Sequence, residues 1–209
     1  MPEHTTLRIN DLFWSFQGEG TRSGVPSIFI RTAGCTMGCS YCDTKESWGT
    51  GIPMQISKIM EMVLQHSNQF PGSQVVITGG EPLEQDLSPL VKALKERDFF
   101  IAIETNGKRF SRIPIDWWTV SPKDVNGYGI HPALVSSICE IKLVVNKNLT
   151  LKVVQNLRSA VPEAPIYLQP DGYNDARYVQ TFDLFKLCRK KGLHDVRCGI
   201  QMHKIYDVK

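Results

Sequence analysis

Three cysteines that lie close together are the residues of this sequence best suited to chemistry. Cys35, Cys39 and Cys42 fall within eight residues, in the spacing Cys-x3-Cys-x2-Cys, whereas the other three cysteines are scattered. Clustered cysteines in a chain without an export signal indicate metal or redox chemistry rather than disulfides. Three thiolates on one loop can hold a 4Fe–4S cluster and leave one iron without a protein ligand. A catalytic cluster needs such an open iron.

A zinc site is the alternative interpretation of the same cysteines. Structural zinc takes four ligands in a closed shell, and no fourth Cys or His lies near the three in sequence. Cys139, Cys188 or Cys198 could supply that ligand through the fold, so the spacing alone leaves zinc open. Because these three have no ligand spacing of their own, we expect them to be buried thiols packed as small apolar residues.

Composition and charge argue against several functional classes. The 209 residues are 42% hydrophobic and 22% charged, which is typical of a globular protein with a core. The net charge is +3, with Lys and Arg spread along the chain, so no nucleic-acid partner is indicated. No apolar run reaches the roughly 18 residues of a membrane span, and the N-terminus lacks the layout of a signal peptide. We therefore expect a single domain over residues 1–209, cytoplasmic and without a membrane partner.

The elements that must position the cysteines follow from the hydrophobic periodicity. Residues 7–16 alternate and run into Gly-rich turns, which predicts an N-terminal extended segment or hairpin. Short apolar runs predict six further strands, at residues 27–31, 75–77, 99–104, 117–120, 140–145 and 166–168. Apolar residues at helical spacing predict helices at residues 56–64, 87–94, 150–160 and 174–191.

Apolar strands that alternate with amphipathic helices are typical of an α/β fold with a mostly parallel sheet covered by helices. The connections between the third and fifth of the six strands look too short for helices. We therefore expect an incomplete, TIM-like barrel of about six parallel strands with a reduced set of helices. Such folds carry their chemistry at the C-terminal strand ends. Polar residues gather there in this sequence, at Cys35, Thr78 to Glu81, Glu104 to Gly107, Ser121 to Lys123, and Gln169 with Pro170.

Two motifs make the chain resemble the radical S-adenosylmethionine (SAM) superfamily. One is the cysteine motif after the first of these strands, with Tyr41 before its last cysteine. The other is Thr78-Gly79-Gly80-Glu81-Pro82 after the second. The resemblance implies a 4Fe–4S cluster on the three cysteines, with its open iron chelated by the amino and carboxylate groups of SAM. It also implies that Gly80 and Glu81 hydrogen-bond that amino group.

Further motifs make the chain similar to one family of this superfamily, 7-carboxy-7-deazaguanine synthase. They occur in the family's order: Phe16-Gln17-Gly18-Glu19-Gly20, Phe29-Ile30-Arg31, Cys42-Asp43-Thr44, Glu104-Thr105-Asn106-Gly107, Ser121-Pro122-Lys123 and Gln201-Met202-His203-Lys204. The resemblance implies a radical ring contraction of 6-carboxy-5,6,7,8-tetrahydropterin to 7-carboxy-7-deazaguanine with loss of ammonia, toward queuosine and related deazapurines. It also implies Mg²⁺, an electron donor such as a flavodoxin, and a homodimer.

The same resemblance assigns roles by position. Tyr41 and Asp43 would flank SAM, and the hydroxyl of Thr44 would bind Mg²⁺. The other SAM contacts would be Cys42, Gly80, Glu81, Glu104, Asn106, Ser121, Pro122, Lys123, Gln169, Pro170, Asp171 and Gly172. The pterin contacts would be Phe16, Gln17, Gly18, Glu19, Arg31, Thr78 and the terminal Lys209.

Several of these residues have a simpler interpretation from sequence alone. Arg31 is a charge on an apolar strand, and a buried Arg needs an anion; that anion is either a substrate carboxylate or a partner in a structural salt bridge. Thr44 could cap a turn, and Glu19 could be a solvated turn residue. His203 could be a structural histidine as well as a catalytic one.

Two other functional classes share part of the pattern. A small activating enzyme, which installs a glycyl radical in a large partner, has the cysteine motif and a similar size. It is not expected to combine the motif at residues 16–20 with Arg31 and Cys42-Asp43-Thr44. An iron–sulfur electron carrier normally has four cysteines and needs no Thr-Gly-Gly-Glu turn.

Overall fold

The computed structural model describes residues 5–172 and 175–209, and within those ranges nine strands form one sheet. The strands are β1 (Thr6–Phe16), β2 (Pro26–Thr32), β3 (Ile52–Gln55), β4 (Gln74–Gly79), β5 (Ile101–Thr105), β6 (Trp117–Val120), β7 (Ile138–Val145), β8 (Ile166–Pro170) and β9 (Val196–Cys198). The α-helices are α1 (Ile56–Gln69), α2 (Ser88–Lys95), α3 (Leu151–Ala160), α4 (Asp175–Lys190) and α5 (Met202–Ile205). None of the helices in the described ranges has the length and apolarity that a bilayer crossing requires.

The sheet has the order β3-β1-β2-β4-β5-β6-β7-β8-β9. From β2 through β4 to β9 every neighbouring pair is parallel, whereas β1 is antiparallel to both β2 and β3. The prediction of a mostly parallel α/β sheet with an N-terminal hairpin is confirmed, and each of the six predicted strands is present. The parallel part is one strand larger than expected, because β9 adds a three-residue edge strand that is too short for a periodic pattern.

Alternation along the strands gives the sheet two different faces. One face is aliphatic: Ile30, Ile77 and Ile103 are fully buried in the core that includes residues of α1 and α2. The corresponding face of β7 and β8 packs with residues of α3 and α4 in a second core, which includes Cys188. Cys188 is therefore a packed thiol as expected, whereas Cys198 is exposed and the expectation of burial was wrong for it.

The other face carries a short apolar band and then polar side chains toward the C-terminal strand ends. Phe29, Val76 and Ala102 are register neighbours across β2, β4 and β5 and form a small buried cluster. Two residues further on, Arg31 lies opposite Thr78. Side chains of this face from β2, β5, β7 and β8 line one cavity, so the sheet curves around it as a partial barrel does.

Helices are missing between strands where the sequence predicts gaps. Residues 106–137, all of which the structure describes, contain 3₁₀ turns at Asp124–Asn126 and Pro132–Ser137 but no α-helix. The reduced set of helices is thus confirmed, and the loops after β5 and β6 are free to contribute polar residues to the cavity.

The turn after β4 fixes the cysteine-bearing loop onto the sheet. The Gly80 N–H donates to the Thr32 carbonyl at 3.0 Å, and the Glu81 N–H donates to the Gly34 carbonyl at 2.8 Å. A Cβ atom at Gly80 would lie 2.2 Å from the Gly34 carbonyl oxygen. The approach of the two backbones therefore requires glycine at position 80.

We expect Gly80→Ala to destabilise the protein by about 1–3 kcal/mol, because the new methyl group overlaps backbone that cannot move aside cheaply. Urea unfolding followed by circular dichroism measures the loss. Gly129→Ala is the matched control, since a Cβ there meets its nearest atom, the Asn126 carbonyl oxygen, at an ordinary 3.5 Å. Equal losses in the two variants would contradict the steric explanation.

Candidate active site

One cavity of about 530 Å³ lies where the parallel strands end. Every residue assigned to the site from sequence lines it except Glu81 and Pro122. The assigned residues that line it are Phe16, Gln17, Gly18, Glu19, Arg31, Cys35, Cys39, Tyr41, Cys42, Asp43, Thr44, Thr78, Gly80, Glu104, Asn106, Ser121, Lys123, Gln169, Pro170, Asp171, Gly172 and Lys209. Residues that are distant in sequence are therefore brought to a single site.

The three clustered cysteines face this cavity from the loop after β2. Cys39 is buried and the other two thiols are half-buried. Burial raises the pKa of Cys35 and of Cys39, so metal binding has to displace their protons. In the part of the chain that the structure describes, no three His, Cys, Asp or Glu side chains form a group suited to a single metal ion.

Glu81 is placed differently from the sequence expectation. It is 1% exposed, and its carboxylate accepts from the Leu83 N–H at 3.0 Å, the Thr105 hydroxyl at 2.6 Å and the Asn106 N–H at 2.7 Å. Those bonds turn the side chain away from the cavity and tie the turn after β4 to the end of β5. The Glu81 carboxylate therefore positions the turn that lines the cavity.

Pro122 is the second residue that does not reach the cavity. It is buried, while Ser121 before it and Lys123 after it both line the site. Successive residues of extended chain point to opposite sides, so a three-residue motif at a strand end presents its first and third side chains.

Tyr41 is held on the cavity wall by a hydrogen-bond chain. Its hydroxyl donates to Asp124 Oδ1 at 2.8 Å. The other oxygen of Asp124 accepts from the side-chain amides of Asn146 at 3.0 Å and Asn148 at 2.7 Å. The ring is therefore fixed by residues from the ends of β6 and β7.

A buried lysine joins two carboxylates inside the cavity. Lys142 Nζ lies 2.7 Å from Glu19 Oε2 and 2.9 Å from Glu104 Oε1, and Gln17 donates to the same Glu104 oxygen at 2.9 Å. Burial alone would lower the pKa of Lys142, but Glu104 and Glu19 raise it above its ordinary value. Burial alone would raise the pKa of Glu104, but Lys142 lowers it. Lys142 and Glu104 are consequently both charged at neutral pH. Glu19 pairs with Lys142 inside the cavity, so it is not a solvated turn residue.

Sequence reasoning missed Lys142, although a usable signal was present. It is a single cation within the apolar strand β7, which is the same feature that singled out Arg31 on β2.

Arg31 itself has no carboxylate within ion-pair distance among the described residues, which does not support a structural salt bridge. Its guanidinium donates to the Thr44 hydroxyl at 3.3 Å and lies 5.7 Å from the centre of the Phe13 ring.

The C-terminal segment lies against the opening of the cavity. The Met202 N–H donates to the Gly18 carbonyl at 2.9 Å, and the side-chain amide of Gln201 donates to Glu19 Oε1 at 2.7 Å. A Cβ atom at Gly18 would lie 2.0 Å from His203 Nδ1, so the imidazole occupies the space that a side chain there would need. Burial lowers the pKa of His203 below its ordinary value.

The last residue is anchored on β1 beside the same opening. The main-chain oxygen of Lys209 accepts from the Ser15 hydroxyl at 2.6 Å, and its ammonium group lies 2.7 Å from Asp11. Five residues earlier in the sequence, Lys204 Nζ lies 3.4 Å from Asp43. These contacts connect the C-terminus to the first strand and to the cysteine motif.

Comparisons with known proteins identify the family of this chain. The family model described as the radical SAM superfamily matches residues 29–206. The 7-carboxy-7-deazaguanine synthase of Rickettsia prowazekii is 32% identical over 98% of this chain and 89% of its own length, and that of Aquifex aeolicus is 31% identical over 98% and 95%. The chain belongs to the 7-carboxy-7-deazaguanine synthase family of radical SAM enzymes.

Solved structures support the same family and fold. The crystal structure of QueE from Escherichia coli superposes with a TM-score of 0.76 at 29% identity over 96% of both chains. A structure of Streptococcus suis SuiB bound to S-adenosylmethionine has a TM-score of 0.53 at 14% identity, over 78% of this chain and 44% of that one. The second likeness concerns the fold alone.

Membership of the synthase family implies a 4Fe–4S cluster and SAM, and the residues present fit these groups. Three thiols share one cavity with the Gly79–Gly80 turn. Both side-chain amide atoms of Gln169 are buried there without a hydrogen-bond partner among the described residues. An unsatisfied buried amide is costly, and a polar ligand such as the nucleoside of SAM would satisfy it.

We expect Lys142→Met to destabilise this synthase-family protein by up to about 3–5 kcal/mol at pH 7, because it leaves two partly buried carboxylates without their cation. Chemical denaturation measures the loss. Lys58→Met is the matched control, since Lys58 also lies 2.9 Å from a carboxylate, that of Glu61, but on the exposed surface. Surface pairs contribute about 0–1 kcal/mol.

The loss of stability caused by Lys142→Met should become smaller as the pH falls from 7 toward 4. In the wild type, the lowered pKa of Glu104 gives stability that is present above the pKa of the unfolded chain and is lost as the pH falls through the folded value. In the Lys142→Met variant, Glu104 has lost its cation, and burial then raises the pKa of this carboxylate. Acidification therefore favours the folded state of the variant. A loss that stays constant over this range would show that the charges are not its cause.

Proposed function

We propose that this protein converts 6-carboxy-5,6,7,8-tetrahydropterin to 7-carboxy-7-deazaguanine with release of ammonia, in queuosine or deazapurine biosynthesis. The observation that carries the proposal is Arg31, whose guanidinium has no carboxylate within ion-pair distance among the described residues and lies in the same cavity as the three thiols. A carboxylate substrate would supply its counter-ion. The similarity to synthases over nearly the whole chain supports the same reaction.

We assign the cluster to Cys35, Cys39 and Cys42. When bound, the cluster and SAM supply the radical chemistry that starts the ring contraction, and the protein's own task is to hold the reacting carbon and exclude water. We assign SAM to the wall formed by Tyr41, Asp43, Gly80, Asn106, Ser121, Lys123, Gln169, Pro170, Asp171 and Gly172. Glu81 and Pro122 support this wall from behind.

The substrate carboxylate would lie near Arg31 and Thr44. These side chains are joined by the 3.3 Å bond between the guanidinium and the Thr44 hydroxyl. A hydroxyl is a suitable ligand for Mg²⁺, which prefers oxygen ligands and keeps several waters. An anionic substrate between Arg31 and a Mg²⁺ ion bound to Thr44 would contact both cations and reduce the repulsion between them.

The pterin ring would be recognised by the two carboxylates that pair with Lys142. Glu19 and Glu104 are acceptors suited to the ring amino group and a ring N–H. Glu104 accepts from Gln17 at 2.9 Å and from Thr78 at 3.3 Å, both of which we assign to the pterin. We therefore place Glu104 on the substrate side, with Phe16, Gly18 and Lys209 completing the enclosure.

The cluster requires an electron from a donor, which we propose to be a small redox protein such as a flavodoxin. The donor would act in a reducing compartment, the cytoplasm, where the three thiols stay free of disulfides. We also propose that the chain acts as one catalytic domain and that two copies assemble as a homodimer, as the family resemblance suggests.

An anaerobic assay with reductant, SAM and the carboxytetrahydropterin tests the reaction by mass spectrometry of the product. We expect 7-carboxy-7-deazaguanine to form in the wild type and not in Cys39→Ala, which should lose most of its iron after reconstitution because only two thiolates remain. Cys198→Ala, outside the cavity and exposed, should keep the wild-type iron content. Full iron in Cys39→Ala would refute the cluster assignment, and SAM cleavage without pterin conversion would refute the substrate.

Removal of the Thr44 hydroxyl tests the Mg²⁺ site. We expect Thr44→Ala to raise the Mg²⁺ concentration for half-maximal turnover by about tenfold or more, as loss of metal-site groups does. Thr36→Ala removes the hydroxyl of a threonine in the same loop that donates to Glu84 instead, and this variant should behave as the wild type. The same Mg²⁺ dependence in Thr44→Ala and the wild type would exclude Thr44 as a ligand.

A further inference from the structure

The indole of Trp48 makes a hydrogen bond that none of the functional assignments explains. Its Nε1 lies 3.3 Å from Cys42 Sγ, and both residues line the cavity. An indole nitrogen is a donor only, so the N–H points at the sulfur. Trp48 is therefore bonded to one of the three thiols that we assign to the cluster.

Hydrogen bonds hold the backbone that carries Trp48. Trp48 ends the 3₁₀ turn Lys45–Trp48, directly after the Cys42-Asp43-Thr44 motif. The preceding residue, Ser47, is fully buried; its carbonyl accepts from the Gly34 N–H at 2.7 Å, and its hydroxyl donates to the Thr44 carbonyl at 2.7 Å. The donor is thus positioned by the same backbone that carries the cysteines.

We propose that the Trp48 N–H raises the reduction potential of the cluster through its bond to Cys42. Reduction places more negative charge on the thiolate sulfurs, and a donated N–H stabilises that charge more in the reduced state than in the oxidised state. Hydrogen bonds to sulfur are among the determinants of cluster potential, and groups outside the ligand set tune metal sites in this way. The bond makes the cluster easier to reduce by its electron donor.

The proposal depends on the cluster assignment but not on the identity of the pterin. A wrong substrate would leave the potential unaffected, whereas a wrong cluster assignment would already appear as full iron content in Cys39→Ala. Failure of this inference can therefore be distinguished from failure of the proposed function.

The test is an EPR-monitored measurement of the cluster's midpoint potential in anaerobically reconstituted protein. We expect Trp48→Phe, which keeps an aromatic ring but removes the donor, to have a reduced-to-oxidised ratio at least threefold lower at the wild-type midpoint. That ratio corresponds to a fall of about 28 mV for a one-electron couple at 59 mV per tenfold change.

Trp14→Phe is the matched control. The Trp14 indole also donates a hydrogen bond, to Ser73 at 2.9 Å, but it does not line the cavity. Its loss should leave the midpoint unchanged. An unchanged midpoint in Trp48→Phe with full iron content would overturn the proposal, as would an equal fall in both variants.

A second measurement covers the case in which Trp48→Phe does not hold a full cluster. Wild-type protein labelled with ¹⁵N-tryptophan should show a weak nitrogen coupling to the reduced cluster by pulsed EPR, and labelled Trp14→Phe should retain it. Absence of this coupling in the wild type would mean that the N–H does not reach the cluster, and the proposal would be wrong.

Discussion

The backbone contact between Gly80 and Gly34 is the constraint on which the site depends. Gly34 directly precedes the first cysteine, so the turn after β4 sets where the thiol-bearing loop lies over the strand ends. The next residue, Glu81, binds the hydroxyl of Thr105 and the N–H of Asn106. One turn therefore positions both the cysteine loop and the end of β5. Any side chain at position 80 would separate these two parts of the cavity.

The polar interior of the partial barrel is the second requirement, and it opposes stability. Glu19, Glu104 and Lys142 are removed from much of their water, which costs several kcal/mol for each ion before pairing. Their mutual bonds at 2.7 and 2.9 Å offset that cost. The aliphatic face of the sheet supplies the stability that compensates for this polar interior, since Ile30, Ile77 and their neighbours are fully buried. Alternation along each strand thus places the stabilising aliphatic side chains on one face of the sheet and the polar side chains of the cavity on the other.

The sequence was enough to predict the parallel sheet, the gaps between helices and most of the residues around the cavity. These features depend on local periodicity and on motifs that lie within a few residues. It was not enough to predict the contacts of Glu81, because the donors to its carboxylate include Thr105 at the end of β5 and Asn106 directly after it, more than twenty positions away. Lys142 could have been singled out as a lone cation in an apolar strand, but its partner Glu19 could not, since it is 123 positions away. Hydrophobic periodicity shows which face of the sheet a residue lies on, but not which distant residues contact it there.

The two sides of the cavity are held with different strength. On the cysteine side, backbone hydrogen bonds and a glycine contact leave the loop little freedom. On the C-terminal side, Lys204 and Lys209 make ion pairs with Asp43 and Asp11 that are largely exposed, and such pairs contribute about 0–1 kcal/mol each. A radical reaction needs fixed thiolates, while a substrate enclosed on all sides needs a way in. The C-terminal side therefore depends on a few hydrogen bonds, those of Met202 to Gly18, Gln201 to Glu19 and Ser15 to Lys209, and its exposed ion pairs add little to them.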